Sequence, residues 1–423
     1  MSMMYTKPTL LMLAAALALA ACAGVEDGAT AVGGSVGAQA IGFDAYINRG
    51  TTRGGTAGVL TLASLKTGAH SAGGFGVLAY YTGTHPYEAT ALPTFMYNER
   101  VWWQEAAPPA SASWTYTPLK YWPNGEGETN AAINTGELPH YVSFFAYAPY
   151  SDNATGAAGY CIPSFSSQAD TGNPWLTYRL HDDVGSQVDL LLAQPQLDQT
   201  KPAVDGVVHF SFKHALACAG EQLTVACSTG LKNQTIGHTT GSATEAQVVV
   251  TAFSIEYTLI AKARLVLWNS TLPDWATADP VWQAIQSESP TCTRTVTIID
   301  PATDAPVPVY HYVKEGSVEQ VTQQTWADKG VFYIPLPVGQ TEYVQRARVS
   351  VTYHITTHSG GSWVNDADNI GTATLILSDY TDAYKAGKNL NIDVTLNQMD
   401  IALRAAITAW QTTDPQEVEG EEQ

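Results

Sequence analysis

From Gln187 to Ala217 the chain reads QVDLLLAQPQLDQTKPAVDGVVHFSFKHALA. The stretch opens on an apolar run, Val188 to Leu192, interrupted by one carboxylate, Asp189. A polar connection follows, punctuated by Pro195, Pro202 and Gly206. Val208, Phe210 and Phe212 then alternate with His209, Ser211 and Lys213. Successive side chains on a strand point to opposite faces, so this alternation predicts a strand with one buried face. The closing HALA stands just before a new series of strand-like runs. The stretch therefore reads as the last strand of one domain and the hinge into the next.

Composition fits that reading. The 423 residues are enough for two or more domains with real cores. The chain is 45% hydrophobic, which makes it globular, but only 14% charged, well below the usual quarter. Gly, Thr, Ser, Tyr and Trp fill the gap, as in secreted β-sheet proteins. A net charge of −19 argues against a nucleic-acid partner, which needs a basic footprint. It favours a soluble, self-repelling surface.

The N-terminus reads as a targeting segment. Lys7 supplies a positive n-region, and Leu10 to Ala21 is an apolar run too short to span a bilayer comfortably. Leu19-Ala20-Ala21-Cys22 resembles a bacterial lipobox, in which the cysteine becomes acylated; the plainer alternative is an ordinary signal peptide with a chance cysteine. Residues 1–21 are expected to be the lipoprotein signal peptide, with Cys22 the lipidation site and residues 22–38, rich in Gly, Ala and Val, a flexible tether. Cys161, Cys218, Cys227 and Cys292 have no zinc-module spacing. An oxidising compartment would permit disulfides. Cys218 and Cys227 meet if the chain turns at Gly220, and buried free thiols explain the set as well.

Strand signals continue in both directions. Ile41, Phe43, Ala45 and Ile47 alternate with Gly42, Asp44, Tyr46 and Asn48, giving a first strand that runs into the polar, glycine-rich loop Asn48 to Gly55. Phe75 to Tyr81, Phe95 to Tyr97, Trp114 to Tyr116, Lys120 to Pro123 and Val142 to Pro149 follow at short spacings. Such frequent strands with Gly, Pro and Asn turns indicate a sandwich or barrel. The second half repeats the style at Val248 to Trp268, Val296 to Ile298, Val331 to Leu336 and Ala347 to Ile355. Leu272 to Glu288, with Trp275 and Trp282, reads as a short helix over the core. Leu390, Ile392, Val394 and Leu396, then Ile401, Leu403, Ala405 and Ile407, predict a hairpin or two long strands around a turn near Asn397 to Asp400. The expected organisation is all-β, with an N-terminal β-sandwich at 39–215, a C-terminal β-sandwich at 216–411 and an acidic tail at 412–423.

Chemistry is hard to find. Gly33-Gly34-Ser35-Val36-Gly37 matches GxSxG, but a nucleophile elbow needs a strand before it and a helix after it, and this match lies in the tether. His354 and His358 stand four apart on a predicted strand, roughly 13 Å at the usual rise, too far for a metal pair. His140, His209 and His214 read as hydrogen-bonding residues at strand ends. Asp189, inside an apolar run, reads as an acceptor of backbone or hydroxyl hydrogen bonds. No catalytic residue, cofactor or metal is expected. The rings at Trp102, Trp103, Trp114, Tyr116, Tyr121 and Trp122 are the basis of an alternative, a monomeric surface lipoprotein that binds carbohydrate; aromatic core packing and strand-pair contacts explain them at least as well and are the favoured account.

Several pieces then coincide in order: a lipobox, a strand and an arginine-containing loop, FGVLAYY, FMYNERVWW, WTYTPLKYWP, YVSFFAYAPY, QVDLLLAQP, VHFSFKHALA, GVFYIPLPVG with RVSVTYHI, and NLNIDVTLNQMDIALRAAITAW. The series resembles the fimbrillin family, the subunits of type V pili, over nearly the whole mature chain. The resemblance implies two successive transthyretin-like β-sandwich domains and export as a lipoprotein to the outer membrane. It also implies cleavage at the cell surface by a trypsin-like protease after an arginine near the N-terminus. Arg49 and Arg53 are the sole arginines before Arg100. Arg53 is favoured because Gly54-Gly55 follows it, with Arg49 close behind. The cut releases the first strand, Ile41, Phe43, Ala45 and Ile47, and a strand from a neighbouring subunit fills the groove. Partners are then copies of the chain, other fimbrial subunits and the processing protease, in a surface fimbrium that supports adhesion. Ile401, Leu403, Ala405 and Ile407 form the candidate donor strand. The short acidic tail departs from the family pattern and leaves open whether this strand is donated, as in stalk subunits, or stays in its own domain, as in tip subunits.

Overall fold

The structure is a computed structural model that describes residues 39–47, 59–67, 73–105, 111–123, 140–152, 162–268, 279–285, 291–335, 344–379, 386–398 and 400–409. Cys22, Arg49, Arg53 and Cys161 lie outside the described residues. Among those described, the fold is all-β apart from two α-helices, Leu62–Thr67 and Thr229–Gly237, and three short 3-10 turns. The first α-helix was not legible in the sequence. The second has its signal in Ser228, whose hydroxyl caps the helix by accepting from Leu231 N–H at 3.3 Å.

Four sheets make up the compact unit Gln39–Gln423. The first, eight-stranded, runs in the spatial order Gly42–Ile47, Val207–His214, Leu191–Ala193, Tyr141–Ala148, Phe75–Gly83, Met96–Gln104, Ser113–Thr115, with Gln196–Gln199 also paired to Tyr141–Ala148. Its central strands are apolar on both faces, because both faces are covered. Tyr141–Ala148 reads YVSFFAYA and is buried from Val142 to Ala148. Val142, Phe144 and Ala146 enter one core; Phe145 and Tyr147 enter a second. The stretch QVDLLLAQPQLDQTKPAVDGVVHFSFKHALA thus supplies three strands of this sheet rather than one.

The second core is continuous with a sandwich of the remaining strands. A seven-stranded sheet built on Ala243–Ile260 and Arg346–Ser359 faces a five-stranded sheet built on Ala217–Cys227, Lys388–Leu396 and Ile401–Ala409. Val248, Ile255 and Val351 from one sheet meet Leu223, Val225 and Ile392 from the other. Gly220 does not turn the chain. Its φ of +80° sits in a β-bulge, where the pairing with Lys388–Leu396 shifts register between Ala219 and Leu223. A side chain there is excluded, since a Cβ would lie 2.3 Å from the Tyr257 hydroxyl. Cys218 and Cys227 therefore occupy opposite ends of one strand, about 30 Å apart at the ordinary rise per residue, and do not meet. Cys227 and Cys292 are free thiols.

The fourth sheet draws on both sides of position 216. Ser164–Phe165 and Trp175–Arg179 pair with Lys262–Val266 and Val281–Ala284. The helix expected over Leu272 to Glu288 is overturned where the chain is described, since Val281–Ala284 is a strand. Its Trp282 is buried and donates from Nε1 to Ala215 O at 2.9 Å. A second bond ties the halves, from Phe332 N–H to the buried Gln187 Oε1 at 3.0 Å. On either side of the seam, Ala215 N–H donates to Leu190 O at 2.7 Å and Gly387 N–H to Leu216 O at 2.8 Å, each within its own half. Phe212, fully buried, packs on Phe75 and Phe210 with ring centroids 5.5 and 6.1 Å away. Phe212→Ala is expected to cost about 3–5 kcal/mol, read as a shifted denaturant midpoint; an unchanged midpoint would show that the core does not depend on this strand.

Candidate functional site

The eight-stranded sheet curls until its two ends meet, and the first strand forms the closure. Gly42–Ile47 lies at the sheet edge, parallel to Val207–His214, in the register Gly42↔Val207 through Ile47↔Phe212. Just before it, Ala40 bridges Tyr121 from the far end, Ile41 N–H donates to Lys120 O at 2.9 Å and Trp122 N–H donates to Gln39 O at 3.2 Å. Gly206, at φ +80°, lets this approach happen. Its carbonyl accepts from Gly42 N–H at 2.9 Å and Trp122 Nε1 at 3.0 Å, and a Cβ on it would lie 2.1 Å from the Gln39 side chain.

The alternation read from the sequence decides which side chains enter. Ile41, Phe43 and Ala45 are buried, and Ile47 packs half-buried against the same core. Phe43 occupies an aromatic pocket. Its ring lies 5.2 Å from Tyr116, 5.9 Å from Phe144 and 6.4 Å from Phe75, all edge-on, and stacks on Phe210 at 5.8 Å. Fully burying such a side chain contributes about 1.5–3 kcal/mol. The outward face is polar: Asp44 accepts from the Tyr46 hydroxyl at 2.7 Å and stands 3.6 Å from His209 Nδ1.

Tyr116 ties the closure to the segment beneath it. Its hydroxyl reaches the carbonyls of Ile41 at 3.1 Å and Lys120 at 3.0 Å. Burial pushes its pKa up to about 12, opposed by the Lys120 backbone hydrogen bond and helped by nearby Glu99 and Tyr121. Burial likewise raises Tyr147 and Tyr257. The fold thus prefers neutral phenols. Their stabilisation is complete below the unfolded value of 10.0 and is lost as pH rises through the folded values, from about 12 for Tyr116. The melting temperature should therefore fall between pH 10 and 12 in step with tyrosinate absorbance; a flat profile there would contradict the burial of these hydroxyls.

Arg49 and Arg53 fall in the interval 48–58, outside the described residues, but both of its ends are fixed. Ile47 closes the first strand. On the other side Leu60 and Leu65 are buried in the same core, and Leu60 N–H points to Asp189 Oδ2 at 3.5 Å. Asp189 is fully buried and satisfied: Leu190 N–H donates to Oδ1 at 2.8 Å and His214 Nδ1 lies 2.6 Å from Oδ2. The backbone donors that the sequence pointed to are there, and the His214 imidazole is a partner it did not show. A cut in 48–58 leaves the first strand held by non-covalent contacts alone.

The expected C-terminal hairpin forms. Ile401–Ala409 pairs antiparallel with Lys388–Leu396, from Leu396↔Ile401 to Lys388↔Ala409, and Asn397 N–H bonds Asp400 O at 2.9 Å. It is the edge of its sheet. Ile401 is buried against Gly371, while Leu403, Ala405 and Ile407 are half-buried. The histidines are distributed as hydrogen-bonding residues: His140 to the Tyr81 hydroxyl, His354 to Asp368 at 2.9 Å, His358 to Thr244 Oγ1 at 3.3 Å. Of the six rings that would make a sugar platform, Trp114, Tyr116 and Trp122 are buried in the core. Trp102 and Trp103 are half-buried, with Lys66 Nζ 3.9 Å above the Trp103 ring. Tyr121 alone is half exposed.

No family model matches the chain. Among curated proteins it is 30% identical over 218 residues to the fimbrium subunit Fim1C of Phocaeicola vulgatus, covering 49% of this chain and 48% of that one. The chain thus spans about half the length of the curated relative it matches. Among solved structures, a protein from Bacteroides uniformis proposed to act in cell adhesion aligns over 88% of this chain and 98% of its own, at 12% identity and a TM-score of 0.38. The fimbrial anchor protein Mfa2 from Porphyromonas gingivalis aligns over 79% and 88%, at 7% identity and a TM-score of 0.30. Likenesses of that depth carry no functional weight. The sequence relative does bear out the resemblance to fimbrillins: the chain is a homologue of a fimbrium subunit.

Proposed function

We propose that the chain is a structural subunit of a surface fimbria, organised as β-sandwich domains at 39–215 and 216–411. It is exported as a lipoprotein acylated at Cys22 and held at the outer membrane before processing. A trypsin-like protease cuts after Arg53 or Arg49, the first strand leaves, and a strand from another copy or another fimbrial subunit takes its place. The resulting fibre supports adhesion. The observation that carries this reading is the first strand itself, an edge strand whose removal opens an apolar core lined by Phe75, Tyr116, Phe144 and Phe210. An opened sheet edge with an empty apolar groove is a template for strand addition.

Electron microscopy of the mature protein after trypsin treatment tests it. Filaments are expected; a monomer that binds glycans would favour the carbohydrate-binding alternative. For the anchor, Cys22→Ala is expected to lose palmitate labelling and surface delivery, and a labelled, surface-exposed variant would remove the lipoprotein step.

A further inference from the structure

Read in order, the inward residues of the first strand are Ile41, Phe43, Ala45 and Ile47, and those of the last strand are Ile401, Leu403, Ala405 and Ile407. Position by position, both series run isoleucine, large apolar, alanine, isoleucine. The two strands also differ in how well they are buried. The Phe43 and Ala45 positions are buried at the closure. Leu403 and Ala405 are only half-buried at home, on an edge strand with no strand beyond it among the described residues. Leu403 and Ala405 therefore gain burial when the last strand exchanges its place for the closure.

We infer that the last strand of a second copy enters the closure in one register, with Ile401 at the Ile41 position, Leu403 at Phe43, Ala405 at Ala45 and Ile407 at Ile47, and that the alanine position is the size filter that fixes it. This rests on the strand-exchange reading above and specifies its partner and alignment. A slip of one residue turns Ala402, Arg404 and Ala406 into the core and buries a guanidinium without a partner. A slip of two in either direction places Leu403 or Ile407 in the Ala45 slot, which overpacks it. Of the registers compared that keep the apolar face inward, the in-phase one places alanine there. Leu403 fills less of the aromatic pocket than Phe43 does, so the pocket accepts Leu403 with room to spare.

The test uses the full chain treated with trypsin. Ser211 is the ladder partner of Tyr46, the position that Ala406 takes in the inferred register. Neighbouring strands bring such a pair within disulfide range. Ser211→Cys with Ala406→Cys should give an intermolecular linkage between positions 211 and 406, identified by mass spectrometry of the assembled protein. Ala405→Leu should leave the monomer's melting temperature unchanged, because its home site is a half-buried edge, yet weaken assembly about tenfold or more. Leu403→Phe should strengthen it. Assembly in which position 406 links elsewhere, or in which Ala405→Leu matches the parent, overturns the register while strand exchange stands. Assembly of the parent with residues 41–47 still attached overturns strand exchange and the register with it.

Discussion

The double variant Arg49→Ala, Arg53→Ala is expected to remain monomeric under protease treatment that drives the parent into filaments. The reasoning is one of connectivity. The closure competes with any incoming strand for the edge of Val207–His214, and the six paired positions of the first strand occupy that edge. While the strand stays attached, its local concentration at the edge far exceeds that of a separate chain. One cut in 48–58 ends that advantage, because this interval is the covalent link from Ile47 on the strand to Leu60 and Leu65, which pack in the same core beneath it. Glycines at 50, 54 and 55 suit the interval to a protease cleft. Normal assembly of the double variant would remove arginine processing from the account.

Deleting Ile401–Gln423 is expected to abolish assembly as completely, for the opposite reason: the opened edge remains but the strand that fills it is gone. The deletion also has a local cost. It uncovers Lys388–Leu396 as a new edge and removes Ile401 from its contact with Gly371. The monomer's melting temperature must therefore be followed alongside filament yield. A folded but assembly-dead truncation supports donation by the last strand. Filaments at parental yield would place the donor elsewhere and return Ile401–Ala409 to a role within its own domain.

Much of this was legible in the sequence because one-face burial imposes a period of two. Ile41 to Ile47, Val208 to Phe212 and the pair Leu390 to Leu396 and Ile401 to Ile407 all appear as strands with the expected faces inward. What local periodicity does not carry is partnership. Nothing within Ile41 to Ile47 says that it runs parallel to Val207–His214, or that Lys262–Val266 leaves its own half to pair with Trp175–Arg179. Glycine is ambiguous in the same way: Gly220 at positive φ serves a turn or a bulge, and the register shift in its pairing with Lys388–Leu396 shows the bulge. Trp275 and Trp282 stand seven apart, a helical spacing, yet Trp282 lies on a strand and reaches the Ala215 carbonyl. The aromatic run from Trp102 to Trp122 read as core packing ahead of a surface platform, and three of its rings are buried. The candidate closure was visible as a list of residues, Ile41, Phe43, Ala45 and Ile47, but not as the piece that joins the two ends of a curled sheet.

N-terminal sequencing of subunits recovered from purified filaments bears most directly on the central claim. The account predicts chains that begin at Gly54 or Gly50, with no peptide from residues 41–47 in the assembled material. Filaments whose subunits retain that strand would contradict it.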